Sequence, residues 1–374
     1  MHVRSKENGP KRAPGETAVD TGCVVRLRTV SPQAAGYGRR RAGRGWVYLD
    51  ERGAKLEPAD RDRCQRLVIP PAWQEVWICP APNGHIQAIG TDAAGRRQYL
   101  YHPEWRRLRD ADKFDRILTV ARRLPGAREQ VMHDLCLPGM PQERALATAF
   151  RLLDLGFFRV GGETYAEEHG SYGLATLRKD HVVVERGRLR FRFMAKSGKE
   201  QDVTLDDQPL HDAIAVMRRR RTGGADLLAY QVDGQWRDIS SVDVNGYLKQ
   251  VIGAEVSAKD FRTWHATVLA AVALAVSTNT AATPTARKRA VARAMSEVAN
   301  YLGNTPPVAR ASYVDPRVID LFEDGITIEG ALRRLGEDTD HGSPATHGAA
   351  ERAVLAMLTK APESNARAAR RPVR

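Results

Sequence analysis

Near residue 108 the chain changes its hydrophobic period, so a single uniform architecture cannot describe it. Before that point, apolar residues come in strand-sized runs closed by glycine-bearing turns. Trp46-Val47-Tyr48-Leu49 ends at Asp50-Glu51-Arg52-Gly53, and Val76-Trp77-Ile78-Cys79 leads to an Asn83-Gly84 turn. Ile86-Gln87-Ala88-Ile89-Gly90 then passes through Asp92-Ala93-Ala94-Gly95 to Arg96-Arg97-Gln98-Tyr99-Leu100-Tyr101. Runs of this kind predict an antiparallel meander. Beyond it the spacing is helical. Leu146, Phe150, Leu153 and Phe157 mark one face of a helix over 143–158. Val291, Met295, Val298 and Leu302 mark another, which Thr283-Pro284 should start and Gly303 should end. Between them lies a hairpin. Val182-Val183-Val184 precedes a turn, and Leu189, Phe191 and Phe193 then alternate with Arg190 and Arg192. A third strand is expected through Val203 and Leu205, which puts Lys196 in the turn before it.

The expected fold is α+β. A small antiparallel β-rich N-terminal domain over 23–107 precedes a larger, mainly α-helical catalytic domain over 108–335 that carries the hairpin. Residues 1–22 read as a disordered basic tail and 336–374 as a polar tail with one short helix over 349–358.

A net charge of +13 points to a polyanionic partner, and nucleic acid is the commonest. The basic residues also cluster. Arg39-Arg40-Arg41 with Arg44, and Arg218-Arg219-Arg220-Arg221, could both meet phosphates. Cys23, Cys64, Cys79 and Cys136 form no Cys-x-x-Cys pair and have no histidine at zinc spacing, so no metal is expected. Scattered thiols suit a reducing compartment. The start of the chain lacks the apolar stretch of a signal peptide, and the longest apolar run, 266–276, is too short to span a bilayer. These features predict a soluble, cytoplasmic, nucleoid-associated protein, and the arginine- and alanine-rich usage points to a bacterial source.

One segment carries chemistry. Leu302-Gly303-Asn304-Thr305-Pro306-Pro307 is rich in helix breakers and leads to Arg310-Ala311-Ser312-Tyr313. Upstream, Arg159 lies in Phe-Phe-Arg-Val-Gly-Gly, Lys196 in Phe-Met-Ala-Lys-Ser-Gly-Lys and Arg262 in Lys-Asp-Phe-Arg-Thr-Trp-His. Attack of a side chain on a phosphodiester builds negative charge around five-coordinate phosphorus and requires a proton for the leaving alkoxide. Arginines suit the first task because their fork matches two phosphate oxygens. A lysine suits the second. A phenol near positive charge is eased towards phenolate, the nucleophilic form. Each residue also has a plain alternative: Arg262 could simply pair with Asp260 or Glu255, and Tyr313 could be a packing residue.

Taken together, these segments resemble the type IB DNA topoisomerases of the poxvirus-like and bacterial branch, over roughly 27–335. Members carry Arg-x-Gly after a helix, then a tyrosine and Gly-Leu-x-Thr-Leu. Here these are Arg159-Val160-Gly161, Tyr165, and Gly173-Leu174-Ala175-Thr176-Leu177. The family's hairpin lysine falls on Lys196, its Asp-Phe-Arg-Thr on 260–263, and its Arg-x-Ser/Ala-Tyr on 310–313. The resemblance implies an ATP-independent, cofactor-free, monomeric enzyme that relaxes double-stranded DNA through a 3′-phosphotyrosyl intermediate. In it Tyr313 is the nucleophile, Arg159 and Arg262 hold phosphate oxygens, and Lys196 is the general acid. Asn304 stands where viral and eukaryotic relatives have a histidine, and its amide can donate the same hydrogen bond without titrating. Gly162 replaces a lysine of some relatives. Arg96, Arg97, Gln98, Tyr99, Tyr101 and Tyr165 are the implied DNA contacts. A tyrosine recombinase shares this chemistry, but recombinases usually carry His-x-x-Arg where this chain has Lys259 before Arg262. A catalytically inactive DNA-binding protein is the remaining alternative.

If the basic clusters meet phosphates, duplex affinity should fall by roughly a thousandfold or more between about 50 and 200 mM salt. Fluorescence anisotropy across that range measures this, and a salt-insensitive affinity would argue against the contacts.

Overall fold

The computed structural model describes residues 26–156, 158–161, 170–185, 187–337 and 347–360, so the 1–22 tail, Phe157, Gly162 and Tyr165 lie outside the described residues. Two units are distinguished, one reaching to Asp110 and one beginning at Ala111. In the first, β1 (Gly38–Ala42) pairs antiparallel with β2 (Gly45–Leu49). A separate antiparallel sheet has the order β3 (Gln74–Ile78), β4 (Ile86–Thr91), β5 (Arg97–Tyr101). Strands β2 to β5 fall on the runs the sequence predicts, β1 forms in the arginine cluster where no strand is expected, and the five divide into two sheets. A small core of Tyr48, Cys64, Ile69, Ile78 and Ala88 lies among them, with Cys64 supplied by a Pro58–Arg66 helix that the strand-like reading missed.

Arg39 is spent within this unit. Its guanidinium donates to the carbonyls of Ile69 (2.8 Å) and Trp73 (3.1 Å) and lies 4.1 Å from the Trp46 ring centroid. Arg220, in the other basic cluster, is likewise buried, donating to the carbonyls of Met217 and Leu227. These two arginines hold loops in place, which corrects the expectation that both clusters as a whole face phosphates.

The second unit is mainly helical. Its core is centred on the Ala258–Val276 helix, where Phe261, Trp264, Ala266 and Val268 are all buried. The apolar run 266–276 is mostly interior, as its composition predicts, but ends at an exposed Val276. Ser257 and Asp260 form a capping box at the helix start, and Arg116 Nη2 donates to Asp260 Oδ1 at 2.8 Å. Against the core lies a sheet of β6 (Val182–Glu185), β7 (Arg188–Ala195) and β8 (Lys199–Leu205). Its alternation is the one expected, with Leu189, Phe191 and Phe193 buried and Phe158 packed on the last two rings. A Gly348–Lys360 helix closes the core with buried Ala350, Val354 and Leu358, so the C-terminal stretch contributes packing that its mean polarity conceals.

Two glycines set the backbone that carries Arg159. Gly161 has φ +78°, and Gly173 lies directly against it. A Cβ on Gly173 would fall 2.6 Å from the Gly161 nitrogen and 2.9 Å from the Arg159 carbonyl oxygen. Their closeness lets Leu174 N donate to Arg159 O and Ala175 N to Val160 O, each at 2.8 Å. The Gly-Leu-x-Thr-Leu run is thus a backbone clasp on the Arg159 segment. Gly173→Ala should destabilise the protein by about 1–3 kcal/mol through overpacking against main chain. Calorimetry checks this, and an unchanged melting temperature would refute the clasp.

Candidate active site

Tyr313 reaches its position through two successive helix ends. The Pro284–Leu302 helix starts as predicted, with Thr283 Oγ1 accepting from Ala286 N at 3.1 Å, and stops at Gly303 in the left-handed region, φ +60°. The reversed chain then lets Asn304 N return to Ala299 O at 2.9 Å. A short helix, Pro306–Ser312, follows at once, and Tyr313 closes it by donating its backbone N–H to Ala309 O at 3.0 Å.

The Ala258–Val276 helix holds this segment in two ways. Thr267 Oγ1, which donates to Thr263 O at 2.8 Å, also lies 3.3 Å from Tyr313 O and accepts from Asp315 N at 3.1 Å, so one hydroxyl holds the main chain as it leaves the tyrosine. Arg262, one turn earlier and only 4% exposed, donates to Leu302 O at 2.6 Å. That carbonyl is at the negative end of its helix, where a cation is favoured. The same guanidinium lies 5.4 Å from the Tyr313 ring centroid, close enough for its charge to act on the phenol. Arg262 therefore does not use Asp260 or Glu255. Asp260 serves the helix cap, and Glu255 pairs with Lys249 at 2.7 Å.

Arg159 completes the group. Its Nη2 donates to Asn304 Oδ1 at 2.9 Å, which fixes the orientation of the amide. Asn304 Nδ2 is then a buried donor with no partner among the described residues. Four of the five expected catalytic residues, Tyr313, Arg262, Arg159 and Asn304, thus form one connected cluster. Lys196, the fifth, is exposed at the β7–β8 turn and makes no hydrogen bond or ion pair to these four among the described residues. The start of β8, directly after that turn, is nevertheless tied to the cluster. Lys199 Nζ is 3.5 Å from Asn304 O, and the Gln201 side chain lies against Gly303. Lys199, Gln201 and Thr267 were not legible as site residues, because none stands out in composition or spacing.

The electrostatics favour an anion. Burial lowers the pKa of Arg262 to about 10, with the charge of Arg159 acting in the same direction, but it remains a cation near neutrality. Burial lowers the Arg159 pKa also. For Tyr313, burial alone would raise the phenol pKa. The charge and hydrogen bond of Arg262, with the charges of Arg159 and Lys259, outweigh it, and the net shift is downward. Such a site stabilises oxyanions, whether phenolate or phosphate.

Among the described residues, Asp154, His265 and His347 are the one set close enough to hold a metal. Asp154 is already well supplied with donors. Arg128 Nε and Nη2 each donate to it at 2.9 Å, and the two imidazole Nε2 atoms lie 3.5 and 3.0 Å from its oxygens. The hydrogen bonds recorded at Asp154 thus come from Arg128, with the two imidazoles beside it.

In the first unit, the implied DNA-contact segment is β5 and the turn before it. Asp92 accepts from the backbone and side chain of Arg96 and from Gln98, which hold its carboxyl at about 2. Arg97, Tyr99 and Tyr101 alternate along one face, and the two tyrosine rings stack at 6.0 Å.

Comparison with known proteins identifies the family. The sequence model of the family described as eukaryotic DNA topoisomerase I, catalytic core, matches residues 102–327. That of the bacterial DNA topoisomerase IB N-terminal domain matches 45–92. DNA topoisomerase 1B of Acanthamoeba polyphaga mimivirus is 30% identical over 294 residues, covering 76% of this chain and 87% of the relative. DNA topoisomerase 1B of Vaccinia virus (strain Copenhagen) is 21% identical over 244 residues, 63% of this chain and 72% of the relative.

An ultraviolet difference titration of wild type against Tyr313→Phe should reveal one phenol ionising below the ordinary value of about 10. Arg262→Ala should move that ionisation upward. A Tyr313 phenol that titrates at or above the ordinary value would contradict the electrostatic account.

Proposed function

The chain belongs to the type IB DNA topoisomerases, and from that membership we propose that Tyr313 cleaves one strand of duplex DNA by attacking a backbone phosphate. The phenolate oxygen forms a bond to phosphorus as the bond to the 5′-oxygen breaks, leaving a 3′-phosphotyrosyl ester. Arg262 and Arg159 hold the two non-bridging oxygens, and Asn304 Nδ2 donates to one of them. Lys196 gives its proton to the departing 5′-oxygen. The free end rotates, and the 5′-hydroxyl reverses the sequence. The ester conserves the energy of the original bond, so neither ATP nor a second substrate is needed, and supercoils of both signs relax. The β-rich unit contributes Arg96, Arg97, Gln98, Tyr99 and Tyr101 to the duplex, and Tyr165 adds a contact from the second unit. The enzyme acts as a monomer in a bacterial cytoplasm.

The observation that carries this reading is the approach of Arg262 to the Tyr313 ring at 5.4 Å, with Arg159 bonded to Asn304 and the unmet amide donor of that residue in the same cluster. Lys196 is the residue that must come to the phosphate, and its place on an exposed turn suits a group that closes when DNA is bound.

Denaturing gels should show a covalent protein–DNA adduct with wild type and none with Tyr313→Phe. Plasmid relaxation should proceed in EDTA without ATP, and a strict ATP requirement would defeat the proposal. Asn304→Ala should slow cleavage roughly a hundredfold, the usual effect of removing one oxyanion donor. Asn304→His should restore cleavage with a new pH dependence near the histidine pKa of about 6.5. Unchanged cleavage in Asn304→Ala would reduce that residue to shaping the turn.

A further inference from the structure

We infer that Glu351, on the C-terminal helix, is a positioning residue for Arg262. It would fix the rotational setting of the Ala258–Val276 helix from the side away from the nucleophile. Residue 351 lies beyond the 102–327 stretch that matches the catalytic-core family. The inference rests on the roles proposed above for Arg262 and Tyr313.

The contacts are buried and directional. Glu351 is 4% exposed, and its Oε1 accepts from Trp264 Nε1 at 2.7 Å. Arg128 donates to its two oxygens at 2.6 and 3.1 Å, while also gripping Asp154. Asp154 in turn lies beside the imidazoles of His265 and His347. Trp264 and His265 are two and three residues after Arg262. At about 100° per residue, Trp264 projects roughly 200° away from Arg262. The helix is therefore held on opposite sides. On one side Arg262 meets Leu302 and the phenol, and on the other the indole N–H meets the Glu351 carboxylate.

Apolar packing alone would keep such a helix in place as firmly as buried charges do. What the indole–carboxylate bond adds is direction, because a small rotation of the helix would break it. The same rotation would swing the Arg262 guanidinium away from the phosphate it is proposed to hold. Misplacements of about 1 Å can cost on the order of a hundredfold in rate.

The test compares Glu351→Ala, Glu351→Gln and Trp264→Phe in the full chain. Three quantities are read: the single-turnover rate of adduct formation, duplex affinity and melting temperature. Glutamine keeps an acceptor for the indole but loses the charge facing Arg128, whereas phenylalanine removes only the N–H from a ring of similar shape. Glu351→Ala and Trp264→Phe should each slow adduct formation roughly tenfold or more, with affinity within about twofold of wild type. Glu351→Gln should stay within about threefold of the wild-type rate even though its melting temperature falls as in the alanine variant. Equal rates for Glu351→Gln and Trp264→Phe, at a temperature where both are folded, would overturn the inference. So would a rate loss explained by weaker DNA binding. If Glu351→Ala does not fold, the other two variants decide the matter. Failure of wild type to form any adduct would count against the proposed function instead.

Discussion

The second unit is organised around a guanidinium kept in the protein interior. Removing a cation from water costs several kcal/mol, and the nearby charge of Arg159 adds to that penalty. Arg262 stays there because the end of the Pro284–Leu302 helix offers it a carbonyl at the negative pole of the helix, and because Tyr313 offers it a phenol. Both partners leave the cluster short of negative charge. A phosphate would supply that charge, and in the proposed reaction it would meet a cluster already assembled.

A single helix coordinates the parts. From Ala258–Val276, Arg262 reaches the phenol, Thr267 reaches the main chain around Tyr313, and Trp264 and His265 reach the buried charge cluster behind. The other contributions arrive by means that tolerate little variation. Arg159 depends on two glycines whose backbones touch, and Asn304 on a left-handed glycine just before it. The functional side chains are few, but much of the surrounding sequence is committed to their placement.

Much of this was legible in the sequence because it follows from local rules. Threonine and proline start the Pro284–Leu302 helix and Gly303 ends it, as their chemistry dictates. The β7 alternation survives intact, since a face of Leu189, Phe191 and Phe193 has only one way to be buried. What could not be read is long-range pairing of polar groups. Nothing near Arg39 in the chain marks it as an anchor for distant carbonyls, and in composition it looks like its exposed neighbours. Glu351 is similar: on a polar, alanine-rich segment it resembles a surface residue until its partners, Arg128 and Trp264, come into view. Thr267 is a third case, because a threonine in an apolar run carries no sign that its hydroxyl will hold the main chain of residue 313.

That hydroxyl has a bearing on turnover. Thr267, Ala309 and the carbonyl of Ser312, which accepts from Lys113 Nζ at 3.3 Å, all secure Tyr313 through the peptide backbone. None of these anchors involves the phenolic oxygen. In the proposed cycle the ring can therefore carry a DNA strand and surrender it while its mooring stays intact. The catalyst would need no resetting between rounds, and one molecule could work along a torsionally strained chromosome for as long as it stayed bound.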